Sequence, residues 1–344
     1  MNKEKQKNNN NLNNTIYNNI LNNNCINDGD RLLVAVSGGS DSMALIHFLY
    51  TNIERFKNEN NINYEIAVAH VNHMLRDESV EETKYVEKYC LNKNIRFFKT
   101  YIDINKISKE KNIGTEECAR NLRYNFFNEI CNSEGYNKIV LAHNKNDNVE
   151  TIMLNILRGS GIKGLCGIEY NFKNLIRPLI EINKDEINKY CDDNNVKYYI
   201  DESNLENIYT RNKVRNQLLP YIKKDFNINF DECILRLSNL AKLDEDYFIN
   251  YTNEIYNKLV VDKDENYIII NFKILLNEHL SIKNRIMRKI INELIKNLDG
   301  VENVHIKEMI RLIENNITGK KYILGNKFKI TIIKKYTAKF ESII

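Results

Sequence analysis

No stretch of this 344-residue sequence approaches the roughly 18 consecutive apolar residues that cross a bilayer, which excludes a membrane-spanning helix. The N-terminal segment MNKEKQKNNNNLNN carries lysines with no apolar core behind them and fails as a secretory signal, so the expected location is the cytoplasm. Seven cysteines stand singly with no C-x-x-C pair, which argues against a zinc ribbon, a redox pair or a planned disulfide framework. They read as small buried apolar residues. No zinc set assembles from the six histidines. No G-x-x-x-x-G-K-[ST] is present to form a Walker A loop, and no G-x-G-x-x-G to support hydride transfer. Tryptophan is absent and proline occurs twice, while Asn, Lys, Ile and Tyr are inflated together. That is a drift of the whole chain's composition, with no bearing on activity.

Hydrophobic residues make up 42% and charged residues 28%, close to the globular norm, and the length suits about two domains. The net charge of +4 arises after Ile200, which permits a polyanionic partner without requiring one. An Asn-rich tail is expected to be disordered over 1–11; Leu12, Ile16, Tyr17, Ile20 and Leu21 then recur at helical spacing. Apolar runs at 31–37 (RLLVAVS), 64–71, 95–102 and 138–143 read as strands, and the segments 43–50, 79–92, 115–131 and 147–157 between and after them as helices. This alternation predicts a doubly wound α/β domain over 12–222 with a mainly parallel sheet, and a ligand beyond the carboxyl ends of its strands. A short strand at 175–179 and a helix at 184–193 follow. Helical periodicity through 230–315 predicts a smaller helical domain (223–320), and the alternation in KYILGNKFKITII predicts a short β appendage (321–344) turning at Gly325 and Asn326.

The sharpest motif is Ser37-Gly38-Gly39-Ser40-Asp41-Ser42, between a buried strand and a helix N-terminus. Glycines let the backbone turn its N–H groups inward, the serine hydroxyls add donors, and the helix dipole favours an anion, so a phosphate is the expected guest. This loop resembles that of the PP-loop ATP pyrophosphatases. Further motifs narrow the resemblance: VNHMLR at 71–76, ARNLRY at 119–124, LAHNKNDNVET at 141–151 with LRGSG at 157–161, IRPL at 176–179, DESN at 201–204 and TRNKVRNQLLP at 210–220. In that order they are similar to the tRNA(Ile)-lysidine synthetases, over about Asp30 to Tyr221. Met74 stands where the family shows Gly, and Asn144 and Asn146 where it shows His and Asp, so no metal or proton role carries over to those positions. Longer family members add another domain.

The resemblance implies a Rossmann-like fold and a ligase acting on the wobble cytidine of a tRNA(Ile) with anticodon CAU. ATP adenylates the cytosine O2 with loss of pyrophosphate, and free L-lysine attacks C2, expelling AMP. ATP is the co-substrate, with Mg²⁺; no zinc or iron–sulfur cluster is expected. Ser37, Gly38, Gly39, Ser40, Asp41 and Ser42 would bind ATP, Asp41 holding Mg²⁺. Arg120 and Arg123 are placed to stabilise charge on the α-phosphate or the base. Asp147 is the remaining catalytic candidate, and both it and Glu150 are candidate partners of the lysine amine. Arg211, Lys213, Arg215, Lys283, Arg285, Arg288 and Lys289 are candidate tRNA contacts. His70 reads as a near-core histidine, and His73 and Arg76 lie just past a strand end. A homodimer is left open. The alternatives are a tRNA thiolase on the same fold, disfavoured by the lack of C-x-x-C, and an ATP-binding sensor without turnover.

Overall fold

The computed structural model describes residues 2–74, 79–199, 210–296 and 300–343, with side chains from Leu12 onward. Two compact units, Met1–Asn239 and Leu240–Ile344, divide the chain. The first contains α1 (Asn2–Asn22), β1 (Arg31–Ala35), α2 (Ser40–Thr51), α3 (Ile53–Asn60), β2 (Glu65–Asn72), α4 (Ser79–Asn92), β3 (Arg96–Tyr101), α5 (Ile104–Lys111), α6 (Thr115–Glu134), β4 (Lys138–Val140), α7 (Lys145–Leu157), α8 (Ile162–Leu165), β5 (Asn171–Phe172), β6 (Leu175–Ile176) and α9 (Lys184–Asp193). It continues through α10 (Thr210–Lys213), a π turn at Val214–Leu218, α11 (Leu219–Asp225) and the start of α12 (Phe230–Leu259).

The sheet order is β3-β2-β1-β4-β6-β5, parallel throughout except for the antiparallel edge strand β5. Strand β1 sits inside the sheet because its apolar run serves both faces. Leu32 and Val34 join a core with Met43, Phe48, Ile187 and Tyr190, while Leu33 joins the opposite one with Phe127 and Ile139. Each such side chain contributes about 1.5–3 kcal/mol on burial. Winding reverses at β1: β2 and β3 extend to one side, β4 and β6 to the other. The loops leaving β1 and β4 therefore part and open a crevice at the switch point.

Several local expectations differ from what is observed. Helix α1 begins at Asn2, running back through the segment expected to be disordered, and β4 ends at Val140, leaving 141–144 as a loop. The unit boundary falls within α12 rather than after Ile222. The cause is packing: Ile234 joins Val149, Ile152 and Val214 in a small apolar cluster, and Ser238 Oγ donates to the Cys166 carbonyl at 3.0 Å.

The second unit holds the rest of α12, β7 (Val260–Lys263), β8 (Tyr267–Asn271), α13 (Leu280–Ile295), α14 (Asn303–Asn315), β9 (Lys321–Leu324), β10 (Phe328–Lys334) and β11 (Thr337–Ser342). Its strands form an antiparallel sheet in the order β7-β8-β11-β10-β9. Ile268, Ile270, Phe328, Ile330 and Phe340 pack with Ile286, Ile290 and Met309 of α13 and α14. The expected C-terminal appendage is thus part of a larger sheet, and the β7–β8 hairpin interrupts a region read as helical. The run YIIIN at 267–271 is short, and only its alternating burial marks it as a strand. No helix among the described residues is long and apolar enough to cross a membrane.

Candidate active site

The loop after β1 is shaped by its own hydroxyls. Gly38 takes φ +96°, a left-handed conformation that favours glycine. The Ser37 N–H donates to Ser42 Oγ at 3.1 Å, and Ser42 Oγ donates to the Gly39 carbonyl at 3.0 Å. Gly39 is the N-cap of α2 and supplies no side-chain cap, so the first N–H groups of that helix stay available to an anion. Asp41 stands in the first turn. Its Oδ2 accepts from Lys184 Nζ at 2.7 Å, and its Oδ1 is buried with no hydrogen bond among the described residues. Burial raises the Asp41 pKa above the ordinary carboxylate value; Lys184 opposes this, and the nearby Asp147 carboxylate adds to it.

Asp147 arrives from the other side of the crevice. Asn144 caps α7 through a reciprocal pair: its Oδ1 accepts from the Asp147 N–H at 3.0 Å, and Asp147 Oδ2 accepts from the Asn144 N–H at 3.0 Å. One turn on, Glu150 is only 2% exposed, and a carboxylate so buried requires cationic partners. Arg211 Nε donates to Glu150 Oε2 at 2.9 Å, while Arg215 donates to both Glu150 oxygens. Both guanidinium groups also reach Asp147 Oδ1, at 3.2 and 3.1 Å. Arg211 and Arg215, expected from the sequence to contact tRNA, are thus bound to the site's own carboxylates. Lys213, between them, is exposed.

Beside this network lies a cleft of about 240 Å³ lined by Arg120, His143, Thr151, Glu169, Arg177 and Arg211 among others. Buried Arg177 donates to the Glu169 carbonyl at 2.8 Å, and its Nε has no partner among the described residues. The cleft therefore gathers three cationic side chains next to two carboxylates. Arg120 lines it, and its guanidinium stacks 5.1 Å from the Tyr124 ring centroid; Arg123, exposed on the same helix, is not among the lining residues. His143, Arg177 and Lys184 are site residues to which the sequence assigned no role. Arg177 and His143 stood inside quoted motifs, whereas nothing in the spacing links Lys184 to the loop at 37–42.

His70 is buried with both ring nitrogens paired, Nδ1 to the Val36 carbonyl at 2.8 Å and Nε2 to Thr83 Oγ1 at 2.9 Å, as a core histidine should be. His73 is half-buried, and Arg76 and the segment 201–204 lie outside the described residues. In the second unit, Lys283 pairs with Glu314 at 2.8 Å, and Arg285 pairs with both Glu245 oxygens at 2.9 and 2.6 Å. Arg288 donates to the Asn303 amide oxygen at 2.7 Å and Lys289 to that of Asn253. Of the four basic candidates there, Arg288 and Lys289 thus bond to neutral side chains.

Burial pushes the His143 imidazole down to about 4; Asp147 opposes the shift, and Arg177, Arg211 and Arg120 add to it. The ring is neutral in the folded protein at pH 7, whereas in the unfolded chain it takes up a proton below about pH 6.5. Between those values the unfolded state binds more protons, so stability falls as pH drops through the window. The stability advantage of wild type over His143→Gln is expected to shrink by about 1.3 kcal/mol between pH 7.5 and 5.5. Denaturant unfolding at both pH values reads this, and a pH-independent difference would contradict the neutral, half-buried ring.

Residues 6–222 match the family model described as the PP-loop domain. The chain is 40% identical over 308 residues to the tRNA(Ile)-lysidine synthase of Clostridium tetani, an alignment covering 89% of this chain and 64% of that protein. It is 39% identical over 299 residues to the tRNA(Ile)-lysidine synthase of Clostridioides difficile, covering 86% and 63%. The chain thus spans just under two thirds of the length of these relatives. Among solved structures, the U34-tRNA thiolase NcsA from Methanococcus maripaludis with its 4Fe-4S cluster aligns with a TM-score of 0.53 at 18% identity, over 67% of this chain and 80% of that one, a likeness of fold alone. The family match covers most of the first unit, including the Ser37–Ser42 loop at the end of β1 and the carboxylates Asp147 and Glu150 of α7, and on that basis the chain belongs to the PP-loop family.

Proposed function

We propose that this chain ligates free L-lysine to C2 of the wobble cytidine of a tRNA(Ile) with anticodon CAU, using ATP, in the cytoplasm. The observation that carries the reading is the meeting, at one switch point, of an anion-binding loop with an arginine-lined cleft whose Arg211 pairs with Asp147 and Glu150, in a chain about 40% identical to tRNA(Ile)-lysidine synthases. The C2 carbonyl of cytidine is a weak electrophile without a leaving group. Transfer of AMP to its O2, with release of pyrophosphate, supplies one. The amine nitrogen of lysine then forms the bond to C2, its proton is lost, and AMP leaves with the C2–O bond electrons.

The α2 N-terminus and the Ser37–Ser42 hydroxyls would hold the pyrophosphate part of ATP, and Arg120, from the cleft wall, would neutralise charge on the α-phosphate. Arg123 is assigned a supporting electrostatic role on the same helix. Asp41 fits a cation: its Oδ1 is a buried carboxylate oxygen with no donor among the described residues. Mg²⁺ held there would screen the phosphate charge against the attacking oxygen. Asp147 and Glu150 lie where an ammonium group would be attracted, and the cleft volume suits an amino-acid side chain or a base rather than a whole nucleotide. A base splayed out of a single-stranded anticodon loop reaches such a site at little cost. Exposed Lys213, with Arg288 and Lys289, is assigned to phosphate contacts that set register.

The test is incorporation of labelled lysine into tRNA(Ile) with a CAU anticodon, with and without ATP, and with initiator tRNA(Met) as control. ATP-dependent labelling of the isoleucine tRNA alone is expected. Pyrophosphate release without labelling would retain adenylation and reject lysine as the acceptor.

A further inference from the structure

The loop at 37–42 contains no cationic side chain, yet a nucleoside triphosphate brings several negative charges to it. The N–H groups and serine hydroxyls that shape the loop are neutral. Among the described residues, a cation that touches it comes from elsewhere in the chain: Lys184 Nζ lies 2.8 Å from Ser40 Oγ and 2.7 Å from Asp41 Oδ2.

The backbone that delivers Lys184 is held at several points. Helix α9 packs along α2, and Cys191 Sγ donates to the Ser40 carbonyl at 3.5 Å. The Lys184 N–H donates to Asn146 Oδ1 at 3.2 Å, tying the start of α9 to the first turn of α7. Neighbouring Glu186 is engaged with Asn183, whose N–H and side-chain amide both donate to its Oε2 at 3.1 Å. The lysine side chain itself is 38% exposed, so a fixed root carries a four-carbon stem free to swing.

We propose that Lys184 is a phosphate-binding residue of the ATP site, supplied by α9 rather than by the loop. Without nucleotide, its ammonium rests on Asp41 and Ser40. When Mg–ATP enters, Asp41 turns to the metal, and Lys184 exchanges that carboxylate for an oxygen of the β- or γ-phosphate. No covalent bond changes in this step; one charge-assisted hydrogen bond replaces another. The inference rests on the ATP reading of the loop.

A brace that only fixes Asp41 and a ligand that grips the outer phosphates make different predictions for nucleotides lacking those phosphates. Equilibrium binding of Mg–ATP, inorganic pyrophosphate and AMP would be measured on the full chain for wild type, Lys184→Met and Lys184→Arg, with thermal unfolding as the folding control. Lys184→Met is expected to weaken Mg–ATP and pyrophosphate about ten- to hundredfold while AMP binding stays within about twofold, the loss of one charged hydrogen bond. Lys184→Arg is expected to restore ATP affinity to within about threefold, because the charge is kept. Equal weakening of ATP and AMP would assign Lys184 to a structural brace, and unchanged ATP affinity in Lys184→Met would also overturn the proposal. If Lys184→Met fails to fold, Lys184→Gln decides: weaker Mg–ATP and pyrophosphate binding with AMP binding unchanged supports the proposal, and an ATP-to-AMP affinity ratio equal to that of wild type rejects it. Wild type that binds no ATP would refute the ATP reading itself, and this inference with it.

Discussion

Asp41→Asn is expected to slow ATP-dependent pyrophosphate release about a hundred- to thousandfold, the range for removing one preorganised group that stabilises transition-state charge. Asn keeps the shape and an oxygen for Lys184 but removes the negative charge that a metal would meet at Oδ1, a buried atom with no donor among the described residues. Asp41 also sits on the first turn of α2, where its carboxylate opposes an incoming polyphosphate unless a cation lies between them. Neutralising the residue therefore removes repulsion from the ground state while deleting the carboxylate charge that would hold a metal. Nucleotide binding is accordingly expected to survive better than turnover. The checks are pyrophosphate release with saturating substrates and a separate measurement of ATP affinity. A variant that retains more than half the wild-type rate would remove Asp41 from the catalytic set.

Glu150→Gln is expected to cost about 2–4 kcal/mol of stability and to lower Tm by about 5–10 °C. Glu150 is 2% exposed and binds two guanidinium groups, so its loss leaves both cations with Asp147 as their remaining carboxylate. Breaking a buried pair by removing one partner ordinarily costs 3–5 kcal/mol. The lower figure applies here because the Arg211 and Arg215 side chains, 27% and 35% exposed, can turn partly to water. Arg215→Met is expected to cost less, since Arg211 still holds Glu150. Thermal and urea unfolding of the two single variants check the order. If Glu150→Gln unfolds within about 0.5 kcal/mol of wild type, the ion pairs contribute no more than a surface salt bridge. Because Arg211 lines the cleft, the same substitution is expected to depress activity even at temperatures where the variant stays folded.

Much of the first unit was legible because its local and global signals agree. A continuous apolar run such as Leu32–Leu33–Val34 specifies a strand buried on both faces, and strands alternating with helices of this length permit little besides a parallel sheet. The Ser37–Ser42 loop was equally legible, since its glycines, hydroxyls and place before a helix belong to one local turn. The second unit was harder to read. Strand β8 is short, its partner β11 lies some seventy residues later along the chain, and nothing local announces a pairing made at such a separation.

The basic residues show the same division. Arg211 and Arg215 are four apart, which places them on one helix face from sequence alone. Sequence spacing cannot name what that face meets; in the structure both side chains reach Asp147 and Glu150. Lys184 was invisible for the same reason: its separation from Asp41 is bridged only when α9 packs on α2. What the sequence by itself determined was the strand–helix alternation of the first unit, the turn between β1 and α2 and the family, all carried by residues near one another along the chain. Which charges neutralise each other inside the cleft was decided by the tertiary structure alone, because an ion pair depends on separation in space, and in this fold the paired groups are brought together from distant stretches of the sequence by helix packing and by the crossing of the sheet at β1.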